Sequence, residues 1–372
     1  MSDARDPAMP HLPDHLQITM PIATSERPSE SRDFKSLPAP RPITEHQWPE
    51  GTRPLVSICC ITYNHEKFIK QCIDGFLMQE TSFPVEIIIH DDASTDRTAD
   101  IIRACHAKYP RLFRPILQKE NQYQQGKRRI LLALLPFARG KYIAVCEGDD
   151  YWTGKDKLQL QSIFLNDNPS CALCHHRVSY LKDATGEIEL EYPPTERRLR
   201  RVDGDLLAQG NFIQTCSLIL RRGWIPPLTD GFKALKLGDW PLCALVSQRG
   251  WIGYIDRNMA VYRLHSGGLW SASSDTFRCS ATRDMIRFLA LNLNRRCRRP
   301  WVTIVLNDLE YNLAVSSKRG ALKLTAEAGV NLVWNGTRVR PSLFFRFIYR
   351  AARLFAGACK RRLKATMLVS LK

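Results

Sequence analysis

From Leu55 onward, short apolar runs alternate with longer stretches of helical spacing. "LVSICCI" (Leu55 to Ile61) is a β-branched run suited to a buried strand, and "EKFIKQCIDGFLMQ" then places Phe68, Cys72, Phe76 and Leu77 at helical intervals. "VEIIIH" (Val85 to His90) is a second strand. "STDRTADIIRACHAKYP" predicts a helix capped by Ser94 or Thr95 and closed at Pro110. "LFRPILQ" reads as a third strand, "GKRRILLALLPFARG" as a helix broken near Pro136, and "KYIAVCEGDD" as a fourth strand. Strands separated by helices predict an α/β fold, a mostly parallel twisted sheet flanked by helices. In such sheets ligands bind beyond the carboxyl ends of the strands. Three polar clusters stand at those ends: Thr62-Tyr63-Asn64, Asp91-Asp92 and Glu147 to Asp150.

After Asp150 the pattern loosens. "CALCHHRVSYL" and "FIQTCSLILR" predict strands, with a polar surface excursion from Lys182 to Arg201 between them. "DWPLCALVSQRG" predicts a helix, "WIGYID" and "MAVYRL" two short strands, and Phe277 onward a helical region. Residues 1–53, rich in Pro, Ser and charge, predict a mostly disordered arm. The expected organisation is therefore an arm over 1–53, a catalytic-type domain over 54–271 and a basic helical extension over 277–372.

Charge sharpens that division. The chain of 372 residues carries a formal net charge of +17. From Phe277 to Lys372 there are 20 Lys and Arg against four acids, so nearly all of the excess lies there. No apolar run reaches the roughly 18 residues that span a bilayer, and the N-terminus shows no secretory pattern. The 12 cysteines are therefore expected as reduced thiols, with Cys59, Cys60, Cys146 and Cys216 packed as small hydrophobes.

The densest candidate chemistry is "VCEGDDYW", where Glu147, Asp149 and Asp150 crowd the end of an apolar run. Like charges this close repel, and a divalent cation such as Mg²⁺ or Mn²⁺ would relieve them; the plain alternative is a solvated acidic turn. "CALCHH" matches haem or zinc spacing. Alternate residues of a strand face opposite ways, however, so Cys171 and Cys174 are not expected to converge on one metal.

Taken together, "VSICCITYNHEKFIKQCIDGFLMQ", "VEIIIHDDASTDRTADI" and "ARGKYIAVCEGDDYW" resemble, in this order and spacing, the inverting family 2 glycosyltransferases of the GT-A fold that build bacterial polysaccharides and lipid-linked glycans. The resemblance covers Pro54 to about Ser271. It implies a nucleotide-sugar donor, UDP-linked, a metal-binding Asp-x-Asp element, and transfer of a hexosyl or N-acetylhexosaminyl group to a glycan or lipid-linked acceptor. Carried over by residue, Thr62, Tyr63 and Asn64 would border the nucleobase, and Asp91 and Asp92 would hold base and ribose. Glu147 would meet the ribose or a metal-bound water, and Asp149 would ligate the metal with Asp150 in support. Asp239, in "LGDW", would be the catalytic base, where the alternative is a helix cap. His265, in "YRLHSGG", would be a third metal ligand or a phosphate contact, where the alternative is a structural histidine. Trp152 and Trp240 are candidates for stacking on sugars or for the core. The family's Ala-Arg-Asn triplet is replaced by Leu131 and Leu132, so Lys127, Arg128 or Arg129 is left to reach the nucleotide.

Two rival classes make different demands. A metal-dependent nucleotidyltransferase acting on sugar phosphates would use acidic strand ends in a similar way. A nucleic-acid-binding protein would suit the charge, but the basic region lacks a recognition motif, and no nucleic acid is expected as a partner. On a helical projection, residues 343–364 put Arg346, Arg350, Arg353, Lys360, Arg361 and Lys364 opposite an apolar face. That pattern predicts a peripheral enzyme on an anionic membrane surface, the cytoplasmic face of the inner membrane.

Overall fold

A computed structural model of the protein describes residues 38–125, 134–294 and 296–305. In chain order the elements are β1 (Arg41–Pro42), β2 (Val56–Thr62), α1 (Ile69–Leu77), β3 (Glu80–Thr81), β4 (Val85–Asp91), α2 (Thr98–Lys108), β5 (Phe113–Leu117), β6 (Tyr142–Glu147), β7 (Tyr151–Trp152), α3 (Lys157–Asp167), β8 (Cys171–Lys182), β9 (Glu187–Tyr192), β10 (Arg201–Val202), β11 (Ile219–Arg221), α4 (Asp230–Lys233), α5 (Asp239–Val246), β12 (Trp251–Leu264) and α6 (Asp275–Asn292). The chain divides into two compact units, with the boundary inside α6 between Met285 and Ile286. Among the described residues of the second unit, Trp301, Val302, Ile304 and Val305 are buried. The basic segment 343–364, Lys127, Arg128, Arg129, Leu131 and Leu132 lie outside the described residues.

The first unit is built on one sheet in the order β10-β12-β8-β11-β6-β2-β4-β5. The run β6-β2-β4-β5 is parallel throughout. Val56, Ile58, Cys59 and Cys60 of β2, and Ile87, Ile88 and Ile89 of β4, are fully buried, because helices cover both faces of a parallel sheet. The register pairs Thr62 with Asp91 and Ile61 with Glu147. The three polar clusters of the sequence are thereby brought to one edge. In α1 the apolar positions turned to the core are Ile69, Cys72, Ile73 and Phe76, while Phe68 and Leu77 are half-buried.

Several elements differ from the sequence expectation. Arg41–Pro42 pairs with Glu80–Thr81, so the end of the predicted arm is held to the domain. Arg97, and neither Ser94 nor Thr95, stands at the cap position of α2, because Ser94 is taken by Asp91 and Thr95 by Asn64. The polar excursion after Lys182 contains β9, which returns along β8 through a turn where Gly186 has φ +72°. Most of "FIQTCSLILR" is not strand. Ser217 bonds Gln214 O through both its hydroxyl (2.7 Å) and its backbone N–H (2.9 Å), closing a 3₁₀ turn that competes with a ladder. Only Ile219–Arg221 is strand, an antiparallel strip between β6 and β8. "WIGYID" and "MAVYRL" form one strand, β12, with irregular register around Ile255 to Ala260. Its far end pairs Val261 with Tyr151 and Ala260 with Trp152, which sets the acidic turn beside Arg263 and His265.

Trp152 belongs to the core. It is 2% exposed, its Nε1 donates to Cys216 O at 2.8 Å, and it stacks edge-on with Phe76. Lys157 Nζ lies 4.0 Å from its ring centroid and donates to Gln161 Oε1 at 2.8 Å. Burial of this ammonium lowers the Lys157 pKa from 10.5 to about 8. Between those values the folded state holds fewer protons than the unfolded chain, so this group makes stability rise with pH across the window. Lys157→Met removes the cost of the buried charge, about 3 kcal/mol at neutral pH at one pKa unit per 1.36 kcal/mol. The Gln161 acceptor it orphans offsets about 1–3 kcal/mol of that. The expected result is that the stability advantage of the variant over wild type shrinks by about 3 kcal/mol between pH 7.5 and 10.5. Urea titrations at several pH values check it; a difference independent of pH refutes it.

Candidate active site

The loops beyond β2, β4 and β6 and the segments 211–215, 236–240 and 262–271 line one pocket of about 550 Å³. Thr62 and Tyr63 line it from β2, Asp92 from β4, and Glu147 and Asp149 from β6. Asn211, Gln214, Thr215, Lys236, Asp239 and Trp240 line the same pocket.

Not every predicted residue lines that pocket. Asn64, at φ 54°, ties two loops together: Thr95 N donates to its Oδ1 at 2.8 Å, and its own N–H donates to Ser94 Oγ at 2.8 Å. Asp91 accepts from the backbone and hydroxyl of Ser94 and closes its own turn. Asp92 lines the pocket and accepts the backbone N–H groups of Gln122 (2.8 Å) and Tyr123 (3.0 Å), which places Tyr123 on the wall as well. Asp150 lies behind the wall, 1% exposed, where its Oδ1 accepts the Arg263 N–H at 2.9 Å. Trp240 donates Nε1 to Leu207 O at 3.1 Å and is 1% exposed, so only its edge reaches the pocket.

Gly148 makes the acidic turn tight. A β-carbon there would lie 2.6 Å from Thr62 Oγ1 and 3.1 Å from His65 Nδ1, so no larger residue fits between Glu147 and Asp149. The turn is also clamped from β12. Arg263, almost fully buried, donates Nε to Asp149 O (2.9 Å), one amino group to Asp183 (3.1 Å) and the other to Gln71 Oε1 (2.7 Å). Its guanidinium lies over the Phe68 and Tyr151 rings. Lysine cannot reproduce this fork. Arg263→Lys is expected to weaken divalent-ion binding by about 10- to 100-fold, the usual effect of losing an orienting partner. Titration calorimetry with Mn²⁺ tests this, and unchanged affinity would show that the turn holds itself.

The carboxylates are electrostatically unequal. Burial, and then the charges of Asp149 and Asp239, push Glu147 up to about 8. Burial, with the charges of Asp149 and Glu147, raises Asp150 as well. Burial also acts to raise Asp149. There the His265 hydrogen bond and the charges of His65 and His265 prevail, and its carboxyl stays below the ordinary range. His265 Nε2 lies 3.0 Å, and His65 Nε2 3.7 Å, from Asp149 Oδ2. Asp149 Oδ1, Asp150 Oδ2 and Thr62 Oγ1 are buried without a hydrogen-bond partner. Glu147, Asp149 and Asp150, and separately His65, Asp149 and His265, bring ligand atoms within 4.8 Å of one another. Acceptor oxygens left unmatched beside mutually repelling carboxylates fit a divalent cation.

Asp239 opens α5 as its first helical residue. The cap position belongs to Gly238. Asn211 Nδ2 donates to Asp239 Oδ2 at 3.4 Å, and the charge of Asp239 is among those that push Glu147 up. His65, Arg263 and Lys236 were not singled out in the sequence. His65 directly follows the Thr62-Tyr63-Asn64 cluster, and Arg263 lies two residues before His265. Proximity to known polar loops was the signal available for both.

Residues 57–223 match the sequence profile of glycosyl transferase family 2. These residues of the chain belong to this family. An uncharacterized protein of Mycobacterium tuberculosis is 42% identical over 230 residues, 61% of this chain and 64% of that protein. The abequosyltransferase RfbV of Salmonella typhimurium is 28% identical over 158 residues, 42% of this chain and 44% of that protein. The chain thus spans less than two thirds of the length of either relative. The crystal structure of S. aureus TarS 1–349 in complex with UDP-GlcNAc superposes with a TM-score of 0.51 at 17% identity, covering 76% of this chain and 80% of that one. At that identity the likeness speaks for the fold, the GT-A arrangement expected of family 2. Among the described residues no helix is long and apolar enough to cross a membrane.

Proposed function

We propose that this family 2 member is a metal-dependent inverting glycosyltransferase. It moves a hexosyl or N-acetylhexosaminyl group from a nucleotide sugar, UDP-linked, to a hydroxyl of a glycan or lipid-linked acceptor in cell-surface polysaccharide synthesis. The observation that carries this reading is that Asp149, Glu147 and Asp239 line one pocket. The name of the similar abequosyltransferase supports sugar transfer, and the UDP-GlcNAc complex of TarS supports a nucleotide-sugar donor.

In this reading Thr62, Tyr63 and Asp92 border the nucleoside, and the diphosphate points at the acidic turn. Asp149, with His265, would hold the divalent ion, which neutralises charge on the departing diphosphate when bound. Asp239 takes the proton from the acceptor hydroxyl, making it a competent nucleophile toward the anomeric carbon. Attack from the side of Asp239 and departure toward Asp149 proceed on opposite faces of the sugar, which inverts the anomeric centre. Glu147 would meet the ribose or a metal-bound water. The proposed location is the cytoplasmic face of the inner membrane, reached through residues 343–364.

The test is incubation with a panel of nucleotide sugars and Mn²⁺, reading nucleoside diphosphate release and the anomeric configuration of the product. Release of diphosphate with an inverted product supports the proposal. Release of pyrophosphate from a nucleoside triphosphate and a sugar phosphate, with no transfer from any nucleotide sugar, would instead establish a nucleotidyltransferase.

A further inference from the structure

Asp149 is faced by two imidazoles, and only one of them was expected. His265 arrives from the end of β12, placed by the pairing of that strand with β7. His65 arrives from the loop after β2, where its backbone N–H donates to Thr98 Oγ1 at 2.8 Å. The two rings stand 6.1 Å apart at 80°, and both pack on Phe68, at 6.2 Å for His65 and 4.8 Å for His265. The backbone oxygen of His265 accepts from Gly268 N at 3.2 Å and Ser271 Oγ at 3.0 Å, which holds its loop.

The position of the His65 ring is not explained by hydrogen bonding. Its Nε2 lies 3.7 Å from Asp149 Oδ2, beyond a hydrogen bond. Its Nδ1 is buried against Gly148 with no partner. Packing therefore aims an imidazole at a carboxylate without bonding it. One ligand atom from each of His65, Asp149 and His265 falls within 4.8 Å of the others, a separation that a single ion can bridge. Behind them the fully buried Asp150 leaves Oδ2 unmatched.

Ligand type then decides which ion fits. Mg²⁺ demands near-octahedral oxygen coordination and gives up water reluctantly. Imidazole nitrogen favours first-row transition ions, and affinity among these rises from Mn²⁺ toward Co²⁺ and beyond. A site offering two imidazoles and one carboxylate differs in kind from an all-carboxylate one.

We propose that His65, Asp149 and His265 form a two-histidine, one-carboxylate site that selects a first-row transition-metal ion over Mg²⁺, with His65 as the ligand that sets the selectivity. This rests on the reading above that the acidic turn holds a divalent ion. The site leaves further coordination positions for the oxygens of a diphosphate or for water.

The test uses the full chain without nucleotide. Mn²⁺ binding is followed by loss of the free-ion electron paramagnetic resonance signal, Mg²⁺ by competition, and Co²⁺ by its visible absorption. Wild type is expected to bind Mn²⁺ at least about tenfold more tightly than Mg²⁺. His65→Ala should weaken Mn²⁺ by at least about tenfold, change Mg²⁺ by less than about threefold, and alter the Co²⁺ spectrum. His65→Gln, which offers an oxygen in place of the nitrogen, should narrow the Mn²⁺ to Mg²⁺ ratio. Circular dichroism melts confirm that each variant is folded. If Asp149→Ala loses Mn²⁺ while His65→Ala retains it with an unchanged Co²⁺ spectrum, the selectivity inference falls and the divalent-ion reading stands. If Asp149→Ala binds Mn²⁺ as wild type does, both fall.

Discussion

Asp239→Asn is expected to lower sugar transfer by about 10²- to 10⁴-fold, the usual contribution of a positioned general base. The substitution keeps the shape of the side chain, and Asn211 can still reach the remaining oxygen. It cannot accept the proton of the acceptor hydroxyl. The cap position of α5 belongs to Gly238. The interaction of one acidic first-turn residue with a helix dipole is worth about 0.3–1 kcal/mol. Donor affinity should therefore be retained while turnover collapses, a split visible in steady-state kinetics beside donor-binding calorimetry. A variant with near-normal turnover would make Asp239 a first-turn acid of α5 and nothing more.

Asp149→Ala should cost donor affinity instead. With Mn²⁺ present, nucleotide-sugar binding is expected to fall by about 10²-fold or more, since an ion at a diphosphate contributes several kcal/mol and each 1.4 kcal/mol is tenfold. The residual affinity should match that of wild type treated with chelator. The substitution also removes a charge that acts to raise Glu147 and Asp150. Their pKa values should move down toward the ordinary carboxylate range, which carboxyl-resolved NMR titration would read. If chelator still weakens donor binding to the variant as much as it does for wild type, the ion is held by other residues.

Local patterning made the parallel half of the sheet legible. β2, β4 and β6 are apolar on both faces because helices cover both, and a continuous β-branched run has few other stable uses. The polar residues that end those runs could then be assigned to one edge without coordinates. The antiparallel half was harder to read. Whether 212–218 would be strand or turn depended on Ser217 bonding Gln214, and whether β12 would be one strand or two depended on its pairing with β8. Neither choice leaves a periodic trace in the sequence.

The same division runs through the site. Glu147, Asp149 and Asp150 were conspicuous because like charges crowded at the end of an apolar run repel one another. Asp239 stood at a helix start, where its chemistry could be told from capping only by seeing Gly238 take the cap. His65 and His265 lie 200 positions apart in the chain and meet at Asp149 because strand register carries their loops to one point. The sequence by itself determined the order of buried strands and the acidic character of their ends, since burial on two faces and charge repulsion are local properties. Only the tertiary structure decided which carboxylates face the pocket, which serve their own turns, and which histidines converge on Asp149. Side-chain convergence depends on pairing register and helix packing between segments that share no local signal.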